Sequence, residues 1–176
     1  MAAKLITGNG GIIAESDYHV LTWIGKTKGG TPVKITLKNA INMGNMEWTL
    51  ADKGEVVPAI EMEACYDNAD KQADETTTCP WEVLLDGEVK TGSGEILLGL
   101  GVFAIDGTDV ALCRGGGSFK VERTFRLIGA DGDKGAVKNR ISLDEEKAKL
   151  SMNALTMLTS VAKMYPALKE TTPTTT

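Results

Sequence analysis

A mainly β fold, an antiparallel sandwich or barrel with one helix near the C-terminus, is predicted by three observations. From Gly10 to about Gly129, short runs that alternate apolar and polar residues are punctuated by glycine, aspartate or asparagine, the pattern of strands joined by tight turns. Twenty glycines stand against three each of Phe, Tyr and Trp, which points to many turns and to an aliphatic core. After Arg140 the apolar residues change to helical spacing. With 176 residues, 42% hydrophobic and 24% charged, the chain is long enough for one domain with extensions.

Taken in order, the expected strands are Gly11 to Glu15, Val20 to Lys26, Thr31 to Lys38, Met46 to Leu50, Glu55 to Tyr66, Trp81 to Leu85, Glu95 to Ile105, and Asp109 to Arg114 paired with Ser118 to Ile128. In the fifth run one face reads Val56, Ile60, Met62, Ala64 and Tyr66, interrupted by Pro58, while the other carries Glu55, Glu61, Glu63 and Asp67. That is a half-buried strand with an acidic outer face. In the last run Phe119, Val121, Phe125 and Leu127 alternate with polar residues, and Arg123 alone breaks the apolar face. Gly115 to Gly117 supply positive-φ positions for a hairpin turn, and Asp106-Gly107 is a second turn signal. Together these runs predict a β-meander near the end of the core.

Residues 67–80 are long, acidic and almost free of large apolar side chains, so this segment reads either as a solvated loop or as an arm that orders against a partner. Beyond Arg140, Ser142 with Glu145 forms a capping box, and Ala148, Met152, Leu155, Leu158, Ala162 and Tyr165 follow at helical spacing. An amphipathic helix from about Leu143 to Met164, ended by Pro166, is expected. The organisation is therefore a β domain over 1–140 and a helix with a flexible Thr-rich tail over 141–176.

Charge and motifs exclude several functions. The net charge is −5, and residues 51–100 hold 12 acidic and 3 basic side chains, whereas residues 101–150 hold 8 and 9. An acidic middle repels phosphates and argues against sequence-specific nucleic-acid binding. Gly25-Lys26-Thr27 lacks the earlier glycine of a phosphate loop, and Asp131 to Gly135 lacks the glutamate that closes a calcium loop. Cys65, Cys79 and Cys113 lack metal or redox spacing, and His19 is the only histidine, expected to be structural. No catalytic constellation, metal or cofactor is expected. Without a signal peptide, the odd cysteine count suggests a reducing compartment, and no apolar run spans a membrane.

The strand Val33 to Leu37, the connection Asn39 to Trp48, the strand Val56 to Tyr66 and the later run Trp81 to Ile128 together resemble the tail tube (major tail) proteins of long-tailed bacteriophages and related injection systems, over half to two-thirds of the chain. The resemblance implies a small β-sandwich or barrel of the tail tube type. Its partners would be itself, in homo-hexameric rings stacked into a hollow tube, and other tail proteins. DNA would pass through without specific binding, and the protein, made in the host cytoplasm, would reside in the virion tail. On this reading Glu61 and Glu63 line the acidic lumen. Asp67, Asp70, Asp74 and Glu75 lie in an inter-ring loop, with the first ten residues and the C-terminal extension as further bridges. The alternatives are a tail terminator or distal ring protein on the same fold, or a β-sandwich binding or adhesion module.

Overall fold

The computed structural model describes residues 4–50, 52, 54–67, 79–88, 92–109, 113–155 and 161–173. It is mainly β, with ten strands and one short helix among the described residues. The strands are β1 (Leu5–Gly8), β2 (His19–Thr27), β3 (Pro32–Ile41), β4 (Ala59–Ala64), β5 (Trp81–Leu85), β6 (Leu97–Ile105), β7 (Thr108–Asp109), β8 (Cys113–Leu127), β9 (Ile141–Ala154) and β10 (Leu168–Thr171); the helix α1 is Val161–Met164. Eight strands form one antiparallel sheet in the order β7-β6-β2-β3-β4-β9-β8, with β5 also paired to β3, and the sheet curls into a half-barrel.

The curl follows from which side chains fill the concave face. Leu21, Trp23, Ile35 and Leu37 of the β2–β3 pair meet Ile60 and Met62 of β4, Phe103 and Ile105 of β6, and Leu150 and Met152 of β9 in one buried cluster. Glycines let the strands come this close. A Cβ on Gly25 or Gly101 would overlap the Trp23 indole, so the ring lies directly on two facing backbones. On the other side of the half-barrel, the Phe103 ring sits over Gly117 of β8, so β6 and β8, at opposite ends of the sheet order, meet across the interior. Leu37 is fully buried at the centre of the cluster. Leu37→Ala is expected to cost about 2–5 kcal/mol through lost burial and the cavity left behind, read as a lower urea midpoint.

The runs foreseen around β2, β3, β5 and β6 are strands, and Asp106-Gly107 is the turn between β6 and β7, both residues with positive φ. Several expectations are corrected. Residues 11–15 and 46–50 are not strands, and the fifth run is extended in the ladder only from Ala59, beyond Pro58. No hairpin turn forms at Gly115 to Gly117: these glycines lie within β8, where the register slips between Cys113 and Gly117 and Gly116 takes φ +79°. The run from Trp81 to Ile128 is not a meander either, since β5 pairs β3, β6 pairs β2 and β8 pairs β9.

The largest correction concerns the helix. Residues 143–154 belong to β9, and the described helix is only α1, so the sequence division at residue 140 cuts through a hairpin whose second strand lies inside the main sheet. Ala148, Leu150, Met152 and Ala154 are buried at a spacing of two, with Lys149, Ser151 and Asn153 between them, so the segment satisfies a strand pattern as well as a helical one. Hydrogen bonding to β4 on one side and β8 on the other decides the outcome. A bulge hides the alternation: the register pairs Thr124 with Glu145 and Phe125 with Leu143, skipping Asp144. That skip returns Ile141 and Leu143 to the apolar face, although their parity differs from that of Ala148 and Leu150.

The two ends of the described chain pair with each other. β1 and β10 form an antiparallel ribbon, Lys4 bonds Glu170, and Ile6 and Leu168 pack on the core. The first ten residues and the start of the Thr-rich tail are thus held, as far as described, on their own subunit.

Candidate functional site

Glu61 and Glu63 do share the outer face of β4, as the alternation of the sequence implies. They share it with a cation. Opposite them on β9, Lys149 Nζ lies 3.3 Å from Glu61 and 3.6 Å from Glu63. The hydrogen bond with Glu61, then the charges of both glutamates, holds the Lys149 ammonium above its ordinary pKa. Further along the ribbon Lys120 pairs with Glu122 and Lys147 with Glu145. The hydrogen bond from Lys120 lowers the pKa of Glu122, and that to Glu145 raises the pKa of Lys147. The face is a lattice of paired charges of both signs, each pair exposed to solvent that screens it.

The opposite face of the ribbon explains the lone Arg123. It stands directly across from Glu146, whose side chain is only 6% exposed, and its Nε donates to Glu146 Oε2 at 2.6 Å. Trp81 Nε1–H, from β5, donates to Oε1 at 2.7 Å, and the Cys79 thiol donates to the same oxygen at 3.0 Å. Burial opposes ionisation of Glu146, yet these three donors outweigh it and hold the carboxyl below its ordinary pKa. Trp81 also stacks obliquely on Phe119, with ring centroids 5.6 Å apart.

Past this ion pair the apolar face continues without a core to cover it. Phe125 pairs with Leu143 and Leu127 with Ile141, and all four side chains, with Ile128, are about half exposed. The distal β8–β9 ribbon is therefore an arm whose apolar side runs on from the concave face of the half-barrel. β8 is also an edge among the described strands: twelve of its 15 residues pair with β9, and it stands last in the sheet order. At the near end, between β8 and β6, lies a groove of about 530 Å³ lined by Trp23, Ile35, Leu97, Phe103, Phe119 and Leu150, among others. Neither the arm nor the groove was visible in the sequence, although the alternation from Phe119 to Leu127 was.

The other sequence-derived residues are placed as follows. His19 Nδ1 lies 2.8 Å from Asp106 Oδ2, and the Val20 N–H donates to Asp106 Oδ1 at 3.0 Å, so the histidine ties β2 to the β6–β7 turn. Gly25, Lys26 and Thr27 lie in β2 of an antiparallel sheet, and Asp133 bonds Arg140 within the loop after β8. Cys65, Cys79 and Cys113 form no disulfide, and burial raises all three thiol pKa values, the opposite of what a nucleophilic thiolate needs. Among the described residues no cluster of His, Cys, Asp or Glu could hold a metal, and no helix is long and apolar enough to cross a membrane. Asp67 is exposed beside a small concavity with Tyr66 and Tyr18; Asp70, Asp74 and Glu75 lie outside the described residues. Compared with known protein families, curated proteins and solved structures, the chain finds no match.

Proposed function

We propose that this chain is a structural subunit that assembles with copies of itself into rings, hexameric by its sequence resemblance, stacked as the hollow tail tube through which phage DNA passes. The observation that carries the reading is β8: a 15-residue edge strand whose apolar face extends beyond the core of its own subunit. Long open edges invite pairing with another chain, and monomers blunt them with short strands, charges or prolines. Here the edge is long and ends in Phe125 and Leu127, which suits a sheet completed by a neighbour.

Glu61 and Glu63 remain the proposed lumen residues, and their pairing with Lys149 refines what the lumen would present. Phosphates would meet a lattice of neutralised pairs rather than a continuous basic strip, a surface on which DNA slides without sticking. The segment around Asp67, Asp70, Asp74 and Glu75 is the proposed inter-ring contact. The test is negative-stain electron microscopy with sedimentation velocity on the purified, concentrated protein. Rings or hollow tubes are the expected result; a chain that stays monomeric at every concentration overturns the reading.

A further inference from the structure

We infer that Cys65 and Cys79 are a thiol pair that mild oxidation closes into a disulfide across the neck of the 66–79 segment. The inference is independent of the tube reading. β2 fills one edge of β3, and β4 and β5 share the other, one after the other: Ala40 pairs Ala64 in β4, and Leu37 pairs Trp81 in β5. Two backbone bonds bring the strand ends together. The Cys65 N–H donates to the Asn39 carbonyl at 3.2 Å, and the Lys38 N–H donates to the Pro80 carbonyl at 2.7 Å. Lys38 and Asn39 are consecutive, so β5 takes up the edge where β4 leaves it, and residues 66–79 depart from and return to one point. Cys65 and Cys79 stand at the two sides of that neck. Pro80 follows Cys79, so the two cysteine Cα atoms lie within two strand steps, about 7 Å. A disulfide joins Cα atoms about 4.4–6.8 Å apart. Burial first, then the charge of Cys79, raises the pKa of Tyr66, which places the end of the segment beside its beginning.

Closure requires one side chain to turn. The reduced Cys79 thiol donates to Glu146 Oε1, and the Cys65 thiol makes only a 4.0 Å contact with the Glu63 carbonyl. Cys79 is exposed, so its sulfur can rotate about the Cα–Cβ bond toward Cys65, and Trp81 and Arg123 remain as donors to Glu146. With oxidised glutathione as the oxidant, the Cys79 thiolate attacks one glutathione sulfur, the S–S bond breaks and one glutathione thiolate leaves. The Cys65 thiolate then attacks Cys79 Sγ and expels the second glutathione. The two protons lost by the cysteines end on the two glutathione thiolates. The protein is thus oxidised by two electrons, and one glutathione disulfide is reduced to two thiols. Burial raises the pKa of both cysteines, so exchange near neutrality is slow in either direction and the closed bond is a lasting clasp, not a redox relay.

The experiment equilibrates the purified chain, native and in urea, with a series of oxidised-to-reduced glutathione ratios at mildly alkaline pH. Remaining thiols are then alkylated, and tryptic peptides are analysed by mass spectrometry without reduction. Trypsin cuts after Lys53, Lys71 and Lys90, so the clasp appears as peptide 54–71 joined to peptide 72–90, with the Cys113 peptide still alkylated. The native fold should reach half-closure at a ratio at least about tenfold lower than the unfolded chain, because the fold holds the two cysteines together. Cys65→Ser and Cys79→Ser should each abolish the joined peptide, and Cys113→Ser should leave it unchanged. The proposal is overturned if the native and unfolded chains close at the same ratio, or if Cys65 and Cys79 stay reduced throughout. Mixed disulfides with glutathione alone, pairing with Cys113, or pairing between chains would overturn it equally.

Discussion

Gly117→Ala is expected to lose about 3 kcal/mol or more of stability and to uncouple β8 from β9. A Cβ at this position would overlap the Ser151 carbonyl oxygen, which belongs to the backbone of the paired strand, and would lie 2.9 Å from the Phe103 ring. Phe103 could turn aside at modest cost, but the carbonyl can move only if the ladder moves with it. The effect should appear as a lower urea midpoint and as faster amide exchange along residues 117–121 and their β9 partners. Gly116→Ala, at φ +79° but with open space around its Cβ, should show only the smaller penalty of left-handed backbone, about 1 kcal/mol. Equal losses at the two positions would mean that close approach is not what Gly117 serves.

Removal of Glu146 should be the second severe change. Glu146→Ala takes the acceptor from Trp81 Nε1–H and from the Arg123 guanidinium at once, with an expected loss of about 2–3 kcal/mol. Arg123 is half exposed and can turn to water, which keeps the loss below that of a fully buried pair. Glu146→Gln, which keeps an acceptor for Trp81, should lose about half as much. The pH dependence has a defined sign. Because the carboxyl has a lower pKa folded than unfolded, its contribution is complete above the ordinary glutamate range near pH 4.5 and is lost as pH falls through the folded value. Wild-type stability should therefore decline more steeply below pH 4.5 than that of Glu146→Gln. Parallel acid limbs for the two proteins would sink the assignment.

Glu146 shows how far local reading reaches. By its position it falls in the first turn of the helix expected from about Leu143; in the structure it is a cross-strand acceptor that gathers a tryptophan from β5 and an arginine from β8. The residues that signal a helix, Ser142, Glu145, Ala148 and Met152, are compatible with both periods, and one skipped residue at Asp144 conceals the alternation that would have revealed a strand. The glycines of β8 mislead in the same way, since positive φ serves a bulge as readily as a hairpin turn. Glu61 and Glu63 were legible as neighbours on an outer face because strand alternation is local. Their shared Lys149 was not, because it lies 86 residues from Glu63 in the chain and arrives only through the β4–β9 register.

Alternation, turn chemistry and composition were enough to specify a β protein with an aliphatic core, the strands around Val20 to Lys38, Trp81 to Leu85 and up to Ile105, and the Asp106-Gly107 turn. These depend on backbone dihedrals and on side chains a few residues apart. Strand order, the conversion of residues 141–154 into a central strand, the cross-strand Arg123–Glu146 pair and the exposed apolar arm were decided by tertiary structure. Whether an apolar face is core or surface depends on what the fold places opposite it, and for Phe125, Leu127, Ile141 and Leu143 the fold of a single chain places nothing there that buries them.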